Sequence, residues 1–302
     1  MEKKSNSVVK KVIVAICIVV FIAVGAFLTV FFIDKYDNQA ANGDAETSTT
    51  DVASTEVYEK PDYSEYIDIN PETVGWIKVP GTNIDYPVVQ TVNNSYYMSH
   101  DFERKSDYHG AIFMDSRNNP TDLDSNTIIY GHNSYTDGKV FTPLAQYESI
   151  DFYKEHPVIE FNTLERCYKW KIYAVIITNR QPREDNGYVF NYVYPHMEAA
   201  NFKGYIEELN KRTLYFTGVD VKNGDRLLTL QTCIRSLDIP GYRAEGGIIV
   251  IARAVRPGED PTVDTSVATK NPNPKYPQIY YDKHGLTNPY KNDQKWYPVE
   301  VK

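Results

Sequence analysis

The side chains best suited to covalent chemistry are a cysteine and a histidine that each follow an apolar segment. Cys233 comes directly after Leu-Leu-Thr-Leu-Gln-Thr, and His132 comes shortly after Thr-Ile-Ile-Tyr. A thiol has a pKa near ~8.5, so at neutral pH it needs a partner that takes or stabilises its proton. An imidazole can do this and can later return the proton to a leaving amine. The pair predicts thiolate attack on a carbonyl, although a lone Cys or His after a strand is more often a packing residue.

Short apolar segments are expected to bring these two residues together. Residues 75–90 alternate apolar positions with Gly-Thr-Asn and Pro breaks, which predicts a strand, a turn and a second strand. Further strands are predicted at 111–114, 126–130, 170–178, 227–232 and 248–255, and one helix at 197–210. Many short strands with few helices indicate a mainly β protein that folds as a closed β-barrel.

The first 60 residues predict a membrane anchor and a linker. Residues 12–33 form an uncharged apolar run that is long enough to span a bilayer as a helix. Four lysines precede this run and Asp34 follows it, which predicts a cytoplasmic segment at 1–11 and an extracellular catalytic domain. A cleaved signal peptide is the alternative, but the run is too long and no cleavage site is evident. Residues 34–60 are polar and are expected to form a solvated extracellular linker.

The rest of the chain is divided into a catalytic domain at 61–256 and a Pro- and Tyr-rich extension at 257–302. The extension has no clear periodicity, so a disordered tail and a small element packed on the domain are both open. The net charge of -8 argues against a nucleic-acid partner. The sequence contains no metal-binding cluster and no Gly-rich phosphate loop, so the chemistry is predicted to need neither a metal nor a cofactor.

The three cysteines are too few for disulfides to carry the fold of an exported protein. Cys17 lies within the apolar run. Cys167 lies in a segment that is interpreted as a strand, and a buried structural thiol is its expected role. A disulfide between Cys167 and Cys233 is the alternative, but it would disable the nucleophile.

The wider pattern resembles class B sortases over roughly residues 74–255. The histidine box of that family corresponds to residues 130–133, and its TLxTC box corresponds to residues 229–233. The two boxes stand in the right order and about 100 residues apart, which makes the pair a specific signal. Other segments that carry the resemblance are 75–77, 86–90, 97–102, 110–115 and 137–141.

This resemblance implies an eight-stranded sortase barrel with N-terminal helices and one helix between strands six and seven. The implied enzyme is a cysteine transpeptidase that cleaves a sorting signal after Thr and forms a thioacyl enzyme. Cys233 corresponds to the family's nucleophile and His132 to its histidine. The implied partners are a surface protein or pilin that bears the signal, and a cell-wall peptide or pilin lysine that supplies the amine. The class B resemblance favours an NPxTN-like signal over LPxTG.

The family also uses an arginine, which can stabilise a tetrahedral oxyanion because it stays charged at any relevant pH. Arg243 follows Cys233 by about ten residues and is the predicted catalytic arginine. The Ala-Glu-Gly-Gly after it is interpreted as an extra bulge before the next strand. Arg235 and Arg253 are rivals, and for Arg253, inside the strand, a solvated or cross-strand role is expected.

Four residues are predicted by family position to bind substrate, namely Asn94 and Met98 along a groove and Gln231 and Thr232 beside the nucleophile. Structural alternatives are a turn former for Asn94, a core residue for Met98 and a strand filler for Thr232. Two other functions stay open. One is a cysteine endopeptidase that resolves the thioacyl enzyme with water, and the other is a non-catalytic, membrane-tethered barrel that binds peptides.

Overall fold

A closed barrel of eight strands forms the centre of the computed structural model, which describes residues 62–299. The barrel strands in chain order are β1 (Thr73–Lys78), β2 (Asp85–Val89), β3 (Phe113–Met114), β4 (Asn126–Tyr130), β5 (Val158–Thr163), β6 (Lys169–Asn179), β8 (Leu227–Ile234) and β9 (Gly246–Ala254). The short strands β7 (Tyr215–Phe216) and β10 (Thr269–Lys270) pair with each other outside the barrel. The order around the barrel is β1-β2-β3-β4-β8-β9-β6-β5. This confirms the predicted mainly β, eight-stranded closed barrel.

The strand β5 is absent from the predicted set. Its side chains alternate between half-buried and buried positions, and Ile159 and Phe161 are fully buried in the core. Val158, Ile159, Phe161 and Thr163 are strand-forming types that alternate with Glu160 and Asn162, so the sequence does contain the pattern of a half-buried strand here. The structure pairs this segment with β1 and β6, and β5 is therefore an addition to the predicted strands.

Four helices accompany the barrel in the described residues: α1 (Ser64–Ile69), α2 (Ile150–Glu155), α3 (Ala199–Arg212) and α4 (Gln278–His284). Short 3-10 segments occupy Tyr96–Met98, Thr142–Glu148, Pro182–Asp185 and Thr265–Val267. The helix α3 lies between the sixth and seventh barrel strands in chain order, as predicted. None of the helices formed by residues 62–299 combines the length and apolar character that a membrane span requires. The predicted anchor at 12–33, with the segments 1–11 and 34–60, lies outside the described residues.

Apolar side chains fill the barrel and the space beneath α3. Trp170, Val250 and Leu228 are fully buried in the barrel core. Phe202, Tyr205 and Leu209 recur at helical spacing on α3 and belong to a second cluster that includes Ile249 and Ile251 of β9. The two clusters cover opposite faces of the central strands, which explains why β8 and β9 are buried almost throughout.

The extension after residue 256 packs on the domain, which is the second of the two alternatives. Its strand β10 pairs with β7, and the Trp296 ring lies 5.9 Å from the rings of Phe190 and Tyr205. The backbone N–H of Val299 donates to the Asn201 side chain over 2.7 Å. Trp296 belongs to a segment with no periodic spacing in the sequence, and it packs against α3 and the loop before it.

Candidate active site

The parallel pairing of β4 and β8 places His132 and Cys233 at neighbouring strand ends. In this register Tyr130 lies opposite Gln231. His132 and Cys233 each follow that pair by two residues, so they occupy equivalent positions at the same edge of the barrel. Neighbouring strands lie about 4.8 Å apart. The structure therefore brings together the two residues that the sequence separates by about 100 positions.

Three hydrogen bonds tie these strand ends to each other. The Gly131 N–H donates to the Gln231 carbonyl over 3.2 Å, and the Thr232 hydroxyl donates to the Gly131 carbonyl over 2.8 Å. The Asn133 side-chain amide donates to the Cys233 carbonyl over 2.9 Å. The backbones on both sides of the histidine and of the cysteine are therefore fixed relative to one another.

The imidazole of His132 contacts the backbone of the Tyr96–Met98 segment. Its Nε2 lies 2.9 Å from the Met98 carbonyl oxygen. A carbonyl oxygen only accepts, so Nε2 carries the proton in this contact and Nδ1 is the basic nitrogen. Gly110 permits this packing, since a Cβ there would lie 2.3 Å from the Tyr97 carbonyl and 3.2 Å from His132 Cδ2. Within residues 62–299 no hydrogen bond joins the imidazole to the Cys233 thiol.

Cys233 is half-buried and shares a cavity of about 280 Å³ with two of the candidate arginines, Arg235 and Arg243. Arg243 is exposed, and among the described residues its side chain has no hydrogen bond or ion pair. The Arg235 guanidinium lies 3.7 Å from Asp238 and 5.8 Å from the centre of the Tyr135 ring. Both cations are therefore near the thiol, and Arg243 is the less engaged of the two.

A buried glutamate positions the loop that carries Arg243. Glu184 Oε1 accepts a hydrogen bond from the Tyr242 hydroxyl over 2.7 Å and another from the Glu245 N–H over 2.8 Å. Glu184 is only 3% exposed, so both contacts lie out of water. Because the two donors lie on either side of Arg243, one carboxylate fixes the loop at both flanks of the arginine.

The structure decides between two roles for Arg253 and corrects one expectation about this region. Arg253 is not solvated, which leaves the cross-strand alternative: it is 1% exposed at the end of β9 remote from Cys233, where it and its cross-strand neighbour Lys171 both bond to Glu259, and it is therefore no longer a rival for the catalytic arginine. The predicted bulge before the last strand is also absent. Gly246 and Gly247 belong to β9 and pair in regular register with Ile234 and Cys233. Glycine is compatible with this strand because its neighbours supply the packing.

The predicted substrate residues fall into two groups. Met98 and Asn94 are exposed, and the Met98 backbone contacts His132. Asn94 bonds to the Asp115 carboxylate and to the Ser116 N–H, at 3.0 and 2.7 Å, and no described contact joins it to the thiol. Gln231 and Thr232 are buried, and the Thr232 hydroxyl is already bonded to Gly131. These last two residues position the strand end in this arrangement.

A charged cluster stabilises the loop after His132. Asp137 accepts a hydrogen bond from the Ser134 hydroxyl over 2.6 Å, and His109 Nε2 lies 2.9 Å from its other oxygen. The Ser134 hydroxyl is the main reason that the pKa of Asp137 lies well below its ordinary value. The other ring nitrogen of His109 lies 2.8 Å from Asp107 on the same loop, and the approach of His109 to Asp137 joins this loop to the loop after His132.

Cys167 lies far from Cys233. It is half-buried in the turn before β6, not in a strand as expected, because β6 begins only at Lys169. It lines a cavity of about 630 Å³ with residues that precede β8 and follow β9, at the end of these strands opposite to Cys233. The alternative disulfide between Cys167 and Cys233 is therefore excluded by position.

Sequence reasoning missed several residues of this site. Asn133 belongs to the histidine box, but no pattern indicated that its amide reaches the Cys233 carbonyl. Glu184 and Arg180 lie in and before the 3-10 segment Pro182–Asp185, where neither spacing nor composition indicates a role. Their placement follows from the barrel, in which the end of β6 lies beside the beginning of β9.

Known proteins match this chain in sequence and in fold. The sortase-domain family model matches residues 77–255. Sortase B of Listeria monocytogenes is 31% identical over 233 residues, which cover 76% of this chain and 92% of that relative. Sortase B of Staphylococcus aureus is 31% identical over 198 residues, which cover 65% of this chain and 76% of that relative.

Solved structures agree with these matches. The Staphylococcus aureus sortase B–substrate complex superposes with a TM-score of 0.57 at 31% identity, over 65% of this chain and 86% of that chain. Clostridium perfringens sortase B gives a TM-score of 0.56 at 28% identity, over 65% of this chain and 100% of that chain. The barrel, the adjacent Cys and His strand ends and these matches lead to one conclusion: the chain belongs to the sortase family, as a class B sortase, and is a cysteine transpeptidase.

Proposed function

We propose that this transpeptidase cleaves a sorting signal after Thr, holds the acyl group on Cys233 and transfers it to an amine of cell-wall peptide or pilin. The observation that carries the proposal is the alignment of His132 and Cys233 at adjacent ends of β4 and β8. An imidazole and a thiol at one barrel edge are what acyl transfer through a thioester needs.

The proposed reaction has two balanced steps. Cys233 gives its proton to His132, and the thiolate attacks the Thr carbonyl carbon. The C–N bond then breaks as His132 returns a proton to the leaving amine, which leaves a thioester. In the second step the acceptor amine attacks the thioester carbonyl and passes a proton to His132. The C–S bond breaks, and Cys233 leaves as a thiolate that recovers its proton.

Arg243 is proposed to stabilise the oxyanion of both tetrahedral intermediates. Its exposed guanidinium, which has no partner within residues 62–299, shares the cavity with Cys233, and Glu184 orders its loop. We expect Arg243→Ala to lower the acylation rate by about 10²- to 10³-fold. Arg235→Ala is expected to have a smaller effect, because that side chain already contacts Asp238. A wild-type rate for Arg243→Ala would remove this residue from the mechanism.

The proposed first substrate is a peptide with an NPxTN-like signal, borne by a surface protein or pilin. The solved structure of a sortase B–substrate complex from Staphylococcus aureus supports recognition of a sorting-signal peptide by a related protein. In this chain the Met98 side chain is 39% exposed next to the His132 contact, so it can pack against a bound peptide.

The proposal includes a single membrane anchor at residues 12–33 and an extracellular catalytic domain. The apolar run and the lysines before it support this arrangement. In a Gram-positive host the full chain is expected to remain with membranes after a salt wash and to be released by detergent. Replacing residues 1–33 by a cleavable signal peptide should move the protein to the culture supernatant, because the chain is then still exported but no longer anchored. Release of the full chain by salt alone would contradict the anchor.

The experiment that tests the function uses the full chain in detergent with a small library of sorting-signal peptides, with and without added amines. Mass spectrometry should detect a thioacyl adduct on Cys233 and, with amine, a transpeptidation product. Cys167→Ala is the matched control and should form the same adduct, whereas Cys233→Ala should form none. Hydrolysis products alone, even with amine, would identify an endopeptidase. Peptide binding without any adduct would identify a non-catalytic barrel.

A further inference from the structure

The cavity beside Cys233 opens on the flank that faces away from the histidine strand. In the barrel order β8 lies between β4, which leads to His132, and β9. The cavity is lined by residues of β8, of the loop after it, of the start of β9 and of the end of β6, and by none of β4. The lining consists of Arg180, Cys233, Ile234, Arg235, Arg243, Ala244, Glu245 and Gly246. The thiol is therefore approachable from a second side.

This cavity is cationic on an acidic protein. Three arginines and one glutamate line it, so three positive charges less one negative charge leave a formal balance of +2 in the lining. The whole chain carries a net charge of -8. A pocket of opposite sign to its protein attracts and orients anionic groups selectively.

Arg180 has unused hydrogen-bonding capacity in this cavity. Its Nη2 lies 3.8 Å from the Glu245 carboxylate, which exceeds the about 2.7–2.9 Å of a charge-assisted hydrogen bond. Its Nε is buried and has no hydrogen-bond partner among the described residues. The Glu245 carboxylate is already engaged by the Gln181 amide over 3.0 Å. The Arg180 side chain is 31% exposed, and within residues 62–299 its Nη groups form no hydrogen bond, so these groups can receive an anion that enters from outside.

The pairing of β8 with β9 and the cavity that both residues line place Arg180 close to Cys233. Gly247 lies opposite Cys233 on β9, and a Cβ there would lie 4.0 Å from Arg180 Cδ. Because Gly247 has no side chain, nothing from this position separates the arginine from the strand end.

We propose that this cavity binds a carboxylate of the acceptor, and that Arg180 is the residue that selects acceptor amines bearing one. The proposal rests on the transpeptidase function proposed above. The amine nitrogen attacks the thioester carbon and its proton goes to His132, while the carboxylate stays ionised on Arg180 and does not react. The planar guanidinium suits a carboxylate because it can donate two parallel hydrogen bonds. The carboxylate end of the acceptor then lies on the β9 flank of the thiol, and its amine end reaches the thioester on the side of His132.

The test compares two acceptors, triglycine and triglycinamide, on the full chain preloaded as the Cys233 thioacyl enzyme. The readout is the ratio of kcat/KM for the two acceptors, measured in wild type and in Arg180→Gln. The quotient of these ratios cancels the different basicities of the two amines. We expect Arg180→Gln to lower the triglycine-to-triglycinamide ratio by about tenfold or more. Arg180→Lys should retain part of the preference for triglycine, because lysine keeps the positive charge but cannot donate the two parallel hydrogen bonds of a guanidinium.

The control is Arg226→Gln, which removes an exposed arginine at the other end of β8 and should leave the ratio unchanged. The rate of thioacyl formation without acceptor should be the same in wild type and in Arg180→Gln. An unchanged acceptor ratio would overturn the proposal. Slower thioacyl formation with an unchanged ratio would show that the cavity serves the sorting signal instead. Absence of any thioacyl adduct in wild type would refute the proposed function, and the acceptor site with it.

Discussion

The side-chain amide of Asn133 donates a hydrogen bond to the Cys233 carbonyl oxygen over 2.9 Å. Asn133 follows the proposed base, His132, and its hydrogen bond holds the backbone of Cys233, the proposed nucleophile. The bond joins two parallel strands that end at the same edge of the barrel. The other oxygen of this side chain, Asn133 Oδ1, is buried without a hydrogen-bond partner among the described residues. The hydrogen bond from Asn133 therefore helps to align His132 with Cys233.

Asn133→Ala is therefore expected to slow thioacyl formation. A neutral hydrogen bond contributes about 0.5–1.5 kcal/mol, so the rate constant should fall about threefold to tenfold. The rate of thioacyl formation is measured by quenching the reaction with a sorting-signal peptide at a series of times and analysing the samples by mass spectrometry. Asn223→Ala, an exposed asparagine before β8, is the matched control and should keep the wild-type rate. Equal rates for both variants would mean that the strand ends are aligned without this bond.

Glu184→Ala is expected to disorder the loop that carries Arg243. It removes the acceptor of the Tyr242 hydroxyl and of the Glu245 N–H, and lost buried hydrogen bonds cost about 1–3 kcal/mol of unfolding free energy. If Glu184 acts through the arginine, thioacyl formation should slow in Glu184→Ala but slow no further when Glu184→Ala is added to Arg243→Ala. Additive rate losses in the double variant would contradict a positioning role. Glu65→Ala, on the exposed face of α1, should change neither stability nor rate.

The central strands and the reactive pair could be predicted from the sequence, whereas their supporting contacts could not. β4, β8 and β9 are apolar runs bounded by polar residues, so composition alone indicates them. Glu184 reaches partners 58 and 61 residues away, and no local period encodes such contacts. The strands β7 and β10 have two residues each, which is too short for any alternation. The burial of Arg253 is not indicated locally, because its partner Glu259 lies beyond the strand, in the extension.

The stability of the domain in acid is expected to depend on Glu259. Its carboxylate accepts hydrogen bonds from Arg253 and from Lys171, and the bond from Arg253 is the main reason that its pKa lies well below the ordinary 4.5. A carboxyl with a lowered pKa in the folded state stabilises above its unfolded pKa, and this stabilisation is lost as the pH falls through the folded value. The free energy of unfolding should therefore decrease as the pH falls below about 4.5.

Glu259→Gln isolates this contribution from those of Asp220 and Asp225, whose pKa values are also lowered. At pH 7 the variant should lose about 3 kcal/mol, because Arg253 remains buried with a missing partner. Below pH 4.5 its stability should fall less steeply than that of wild type. Urea unfolding at a series of pH values measures both effects. Parallel curves for the two proteins would show that Glu259 does not contribute to the acid sensitivity.

Gly204→Ala on α3 is expected to destabilise the protein, although the same substitution stabilises most helices. Replacing glycine by alanine inside a helix normally stabilises by about 0.5–1 kcal/mol. Here a Cβ would lie 2.4 Å from Nε1 of Trp296, so Gly204→Ala must displace the ring that anchors the extension. We expect the variant to be less stable than wild type and to show a more solvent-exposed tryptophan emission.

Repeating Gly204→Ala in a Trp296→Ala variant tests whether the contact with Trp296 causes the destabilisation. In Trp296→Ala the obstruction is gone, and adding Gly204→Ala should then stabilise by about the normal 0.5–1 kcal/mol. Lys203→Ala, at the exposed neighbouring position, should have the same small effect in both backgrounds. Thermal unfolding of the four proteins in this cycle measures the coupling between residues 204 and 296. Equal stabilisation by Gly204→Ala in both backgrounds would mean that the extension does not rest on α3 at this point.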